Sequence, residues 1–98
     1  YLLERTMRAG VHSVMQNDQN RLQLVSPGVI TVEKAHYTYL SLLAWSKTVR
    51  GIHLLGFRYP LVEATLERGS LGISNEWQGD KGKVSHKEGH LLVIQSRD

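Results

Sequence analysis

Cysteine is absent from the 98 residues. That removes disulfide scaffolds, thiolate zinc sites and cysteine nucleophiles together, and it fits a reducing, cytoplasmic compartment. No apolar run approaches the roughly 18 residues that a membrane-spanning helix needs. The longest candidate, residues 37–45, is interrupted by Thr38 and Ser41. No phosphate-cradling GxxxxGK[ST] loop is found, and no GxGxxG follows a strand pattern. No Asp or Glu pair stands out as a general acid and base. A signal-peptide pattern is missing, and the chain opens at Tyr1 without methionine, so it reads as part of something longer.

Size and composition point to one ordinary globular domain. A chain this short buries roughly 60–70% of the surface that its unfolded form exposes. The apolar fraction is 41% and the charged fraction 21%, values that disfavour wholesale disorder. Twelve Lys and Arg against nine Asp and Glu give a net charge of +3. The arginines are scattered, and only Lys81, Lys83 and Lys87 lie close together, as on a solvated turn. A nucleic-acid binder concentrates its basic residues in a stripe or patch.

The hydrophobic period changes at Gly10. Leu2, Leu3 and Met7 have helical spacing and Gly10 suits a helix stop, so residues 1–10 read as the end of a helix that begins upstream. Beyond Gly10 the period is two. Residues 11–15 and 21–25 flank the turn cluster Asn17-Asp18-Gln19-Asn20, and residues 29–33 form a further strand after Pro27-Gly28. Residues 37–44 are apolar on both faces and predict a central strand. Residues 83–86 and 90–94, joined by Lys87-Glu88-Gly89, predict a closing hairpin with a positive φ at the glycine. Short strands with turn signals every eight to twelve residues indicate an all-β fold, an antiparallel β-sandwich over residues 11–98.

Five histidines are dispersed. His86 and His90 have i,i+4 spacing, but on a hairpin that spacing does not converge two imidazoles on a zinc ion. The densest polar segment combines Tyr59, the pair Ser74 and Asn75, and Trp77 with several glycines. Such a set suits a small aromatic ligand, because glycines allow close approach and Ser74 and Asn75 supply short donors and acceptors. The bland alternative is equally concrete: Ser74-Asn75 forms a turn and Tyr59 packs in the core.

Three stretches stand in register with a known family: GFRYPL at residues 56–61, GSLGISNE at 69–76 and EGHLLVI at 88–94. Residues 20–28 and 37–43 add a linker strand ending in Pro-Gly and a Y-x-Y-x-S-L-L strand. Together they resemble the C-terminal domain of bacterial thiamine pyrophosphokinases across essentially the whole chain. The resemblance implies a jelly-roll-like sandwich that binds thiamine, with Ser74 and Asn75 hydrogen-bonding the aminopyrimidine and Tyr59 and Trp77 near the same pocket. It implies a homodimer, with thiamine between one subunit's nucleotide domain and its partner's β domain. The parent enzyme transfers pyrophosphate from ATP to thiamine. Its Mg²⁺ and ATP would be held by a nucleotide-binding half not found in this sequence, so this chain alone is expected to carry no catalytic or metal-binding residue and to be inactive. Two other classes stay open: a non-catalytic β-sandwich interaction module, and a single-stranded nucleic-acid module of OB type using Tyr37, Tyr39 and Trp45 on one strand face. No membrane association is expected.

Overall fold

The computed structural model describes residues 10–70 and 72–97, and these form nine strands and no helix. The helical remnant expected at residues 1–10 lies, but for Gly10, outside the described residues. Gly10 itself exchanges backbone and side-chain hydrogen bonds with Ser26 at 2.9–3.2 Å.

The strands are β1 (Val11–Gln16), β2 (Asn20–Val25), β3 (Gly28–Glu33), β4 (Tyr39–Ala44), β5 (Thr48–Leu55), β6 (Leu61–Glu67), β7 (Ile73–Glu76), β8 (Lys81–His86) and β9 (Leu91–Ser96). They form two sheets, in the orders β1-β2-β9-β4-β7 and β3-β8-β5-β6. All pairings are antiparallel, and they nest: β2 with β9, β3 with β8, β4 with β7, β5 with β6. A long ribbon folded over on itself produces that nesting, which is the jelly-roll arrangement of a sandwich. β1 adds an outer strand through the predicted turn, where Asn17 Oδ1 accepts from the Gln19 and Asn20 amides at 2.8 and 2.9 Å.

The expected closing hairpin does not exist. β8 pairs with β3 and β5, whereas β9 pairs with β2 and β4, so the Lys87-Glu88-Gly89 turn crosses between sheets. The turn is instead tied to β5 by the Lys87 and Glu88 amides on the Arg50 carbonyl, at 2.9 and 3.2 Å. Gly89 does have the anticipated positive φ, 89°, and a side chain there would run into the Thr48 carbonyl. His86 is buried in this corner, and its Nε2–H donates to the Gly89 carbonyl at 2.8 Å.

Alternation on both sheets supplies the core. Val25, Leu40, Leu42, Leu91 and Val93 meet Val32, Val49, Ile52, Leu54, Leu66 and Val84, with Phe57 filling one end. Each such side chain contributes roughly 1.5–3 kcal/mol by leaving water. β4 is interior to its sheet, as expected, but only Leu40 and Leu42 point inward. Tyr39 and Leu43, on its other face, are more than a third exposed. Tyr37 is buried outside the strand and Trp45 is 58% exposed, so no single aromatic face of the OB kind is built.

Candidate functional site

The stretch between β5 and β6 is paired along its backbone. Residues 56–60 lie antiparallel beside the end of β7, bridging the two sheets. Phe57 pairs with Trp77, the Arg58 amide donates to the Glu76 carbonyl at 2.8 Å, and the Gln78 amide to the Gly56 carbonyl at 3.1 Å. Gly56 makes the close passage possible: its φ is 87°, and a Cβ there would sit 2.6 Å from the Lys81 carbonyl oxygen.

Asn75 staples this corner. Its side chain is 2% exposed. Its Oδ1 accepts from the Tyr59 and Glu76 amides, both at 3.0 Å, and its Nδ2 donates to the Tyr59 carbonyl at 2.6 Å. Three of the four hydrogen bonds that an amide side chain can make are therefore used inside the protein. Ser74 is exposed and, by strand alternation, faces the opposite way. The structure thus separates the two members of the Ser74-Asn75 pair, one on the outer face of the five-stranded sheet and one inside.

The aromatic candidates are close together but differ in exposure. Tyr59 is 55% exposed, and the Arg58 guanidinium lies over its ring, 5.4 Å from the centroid. Arg58 Nη1 is itself held by Glu76 Oε1 at 3.4 Å. Trp77 is half-buried against Phe57, the ring centroids 4.9 Å apart, and its Nε1 is buried without a partner. Backbone pairing therefore brings Tyr59, Ser74, Asn75 and Trp77 to one corner, with Ser74 and Tyr59 presented to the outside.

A profile described as "Thiamin pyrophosphokinase, vitamin B1 binding domain" matches residues 29–91, a span that contains this whole corner. The chain belongs to that family. It is 32% identical, over an alignment of 99 residues, to the thiamine pyrophosphokinase of Bacillus subtilis (strain 168), covering 99% of this chain and 46% of that protein. Among solved structures, a thiamin pyrophosphokinase from Geobacillus thermodenitrificans is similar with a TM-score of 0.82 and 41% identity, over 87% of this chain and 40% of that one. The Bacillus subtilis enzyme structure gives 0.80 and 34%, over 87% and 41%. The chain thus spans about two-fifths to one-half of the length of these relatives.

A second polar cluster in this vitamin B1 binding domain carried no signal in the sequence. On the outer face of the four-stranded sheet, Glu63 Oε1 binds His53 Nε2 at 2.7 Å and Lys87 Nζ at 2.9 Å. Those two hydrogen bonds hold the exposed Glu63 carboxyl below its ordinary pKa, Lys87 more strongly than His53. Glu63 has a φ of 52°, unusual for a residue with a side chain, where the β5–β6 register slips. Burial lowers the pKa of His86, only partly opposed by its bond to Gly89. Among the described residues, no three His, Asp or Glu side chains converge as metal ligands.

Proposed function

We propose that this chain is the thiamine-recognising and dimerising β domain of a larger thiamine pyrophosphokinase. That enzyme would move the pyrophosphoryl group of ATP to the thiamine hydroxyl, giving thiamine diphosphate and AMP. The observation that carries the reading is the family match spanning residues 29–91, which includes every element of the corner just described. The role assigned to this chain is recognition, and Mg²⁺ and ATP are assigned to the part of the parent outside it. The chain alone would then release no AMP from ATP and thiamine, and its compartment would be the cytoplasm.

Within the site, the Ser74 hydroxyl would meet the aminopyrimidine at the outer surface. Asn75 would act as a positioning residue, setting the backbone of Tyr59 and Glu76. Arg58 already places a cation over Tyr59. A thiazolium cation on that same face would be repelled, so Tyr59 would serve as a wall. Trp77 would support the corner from beneath. The test is a ¹⁵N-detected NMR titration of the 98-residue chain with thiamine. Shifts confined to residues 58–59 and 74–77 are expected; shifts elsewhere, or none at millimolar thiamine, would remove the reading.

A second copy would cover the outer face of the five-stranded sheet. Leu22, Leu24, Tyr39, Leu43, Leu92 and Ile94 alternate with inward residues there and form an uncharged surface across its central strands. An uncharged face lets two copies of a chain of net charge +3 meet without setting like charges directly against each other. Ser74 borders the same face, which agrees with a site completed by the partner. Placing an ammonium in that interface with Leu43→Lys should weaken association about a hundredfold, from roughly 3 kcal/mol of desolvation. Sedimentation of the parent and the variant checks this, and an unchanged dimer would move the interface elsewhere.

A further inference from the structure

Strand alternation puts Glu76 on the same outer face of β7 as Ser74, two residues along and so roughly 6–7 Å away. Each has a cross-strand neighbour on β4. Ser74 stands opposite Ser41, and Glu76 opposite Tyr39, which is itself exposed. Among the described residues, the cation paired with Glu76 is Arg58, whose Nη1 lies 3.4 Å from Oε1. In the other direction along the chain from Ser74, Gly72 packs so close to Leu43 that a Cβ on the glycine would meet the leucine side chain. The surroundings of Ser74 are therefore charged at one end and apolar at the other.

Thiamine joins a neutral aminopyrimidine to a thiazolium ring of permanent positive charge through one methylene. With Ser74 on the aminopyrimidine, the second ring can lie toward Leu43 or toward Glu76. Only the second direction offers an opposite charge. The rival for that charge is Arg58, whose guanidinium also stands over the Tyr59 ring. The Arg58 and Glu76 side chains are 61% and 48% exposed, so their contact is a solvent-screened pair of small net worth. A cation carried in by a ligand can therefore compete with Arg58 for Glu76.

We propose that Glu76 and Arg58 set the charge specificity of the thiamine site, Glu76 attracting the thiazolium ring and Arg58 opposing it. The inference rests on the thiamine reading and adds to it the groups that tell a cationic ring from a neutral one of the same shape. Both are specificity-determining residues and neither is catalytic. Removing either charge breaks the same ion pair, so a merely structural pair would give both variants the same effect. Charge specificity gives them opposite effects, and only on a charged ligand.

The test measures dissociation constants by amide NMR on the 98-residue chain. The ligands are thiamine and an isostere in which a neutral thiophene replaces the thiazolium. Glu76→Gln should weaken thiamine binding about two- to fivefold, the range of an exposed charge pair, and Arg58→Gln should tighten it by a similar factor. Neither substitution should alter binding of the isostere. Glu76→Asp keeps the charge and should retain the preference for thiamine, and added salt should shrink that preference in the wild type. If Glu76→Gln misfolds, the tightening by Arg58→Gln still decides. Changes of the same sign in the two variants, or equal changes for both ligands, would overturn the proposal and leave the thiamine reading standing. Absence of shifts at residues 58–59 and 74–77 with either ligand would remove that reading and the proposal with it.

Discussion

Two buried amides at opposite sides of the sandwich have opposite fates. Asn75 has its oxygen accepting twice and its nitrogen donating once, all within the chain. Gln23 leaves its oxygen with no partner. A side chain's identity and depth are thus insufficient to tell whether its hydrogen bonds are met. What separates them is whether nearby backbone supplies partners, as residues 56–60 do for Asn75.

The largest effect expected from breaking this contrast is at Asn75. Asn75→Ala strands the Tyr59 amide, the Tyr59 carbonyl and the Glu76 amide, though solvent can reach part of the opened corner. The cost should be about 2–3 kcal/mol, since unsatisfied buried groups cost roughly 1–3 kcal/mol each. For a domain of this size the midpoint should fall by about 10–20 °C. Asn75→Asp keeps the acceptor for both amides but sets a carboxylate against the Tyr59 carbonyl, so only partial recovery is expected. Calorimetry on the wild type and both variants checks the order. A midpoint unchanged in Asn75→Ala would return that amide to direct ligand contact. Gln23→Leu should leave the midpoint unchanged or raise it, because it removes an unpaired acceptor, and so sharpens the contrast through its opposite sign.

The next effect is smaller and functional. Ser74→Ala removes an exposed hydroxyl, so its stability should stay within about 0.5 kcal/mol of wild type. Thiamine binding should weaken about two- to tenfold, the worth of one hydrogen bond. Neighbouring residues would then split cleanly, one altering binding alone and the other altering stability first. Equal losses of midpoint in the two variants would erase that division.

How much of this was legible in the sequence follows from how local each feature is. The positions of β1–β4, β8 and β9 were readable because alternation is a property of neighbours, whereas β6 and β7 were not marked. The β1–β2 turn was readable too, since Asn17 caps it through amides two and three residues away. The β8–β9 corner was not, because a hairpin and a crossing between sheets present the same glycine-bearing turn. The choice was made by Arg50 and Thr48, some forty residues earlier. Leu40, Leu42, Leu54 and Leu55 look like surplus apolar residues in the sequence; the first three are fully buried, whereas Leu55 is exposed, as are Tyr39 and Leu43. The Ser74-Asn75 pair was found, but its division between two faces follows only once residues 73–76 are known to be a strand.

The smallest effects concern two groups whose polar partners are present but whose charge states differ in kind. His86 is buried and its pKa is lowered from 6.5, chiefly by desolvation. Above pH 6.5 it is neutral whether folded or unfolded, and its full contribution is present. As pH falls below 6.5 the unfolded chain takes up a proton that the folded chain resists, so stability declines until the lowered native value is passed. Glu63 is lowered from 4.5 by its bonds to Lys87 and His53. Its contribution is intact above pH 4.5 and is lost below it, as the unfolded chain is protonated first. The thermal midpoint should therefore fall in two stages on acidification. His86→Gln, which can still donate to Gly89, should remove the first stage only, and Glu63→Gln should diminish the second. Added salt separates them by cause: it should shrink the exposed Glu63 stage by screening and leave the desolvation-driven His86 stage in place. A midpoint that rises between pH 7 and pH 5, or a first stage that disappears with salt, would show that His86 is not held neutral by burial.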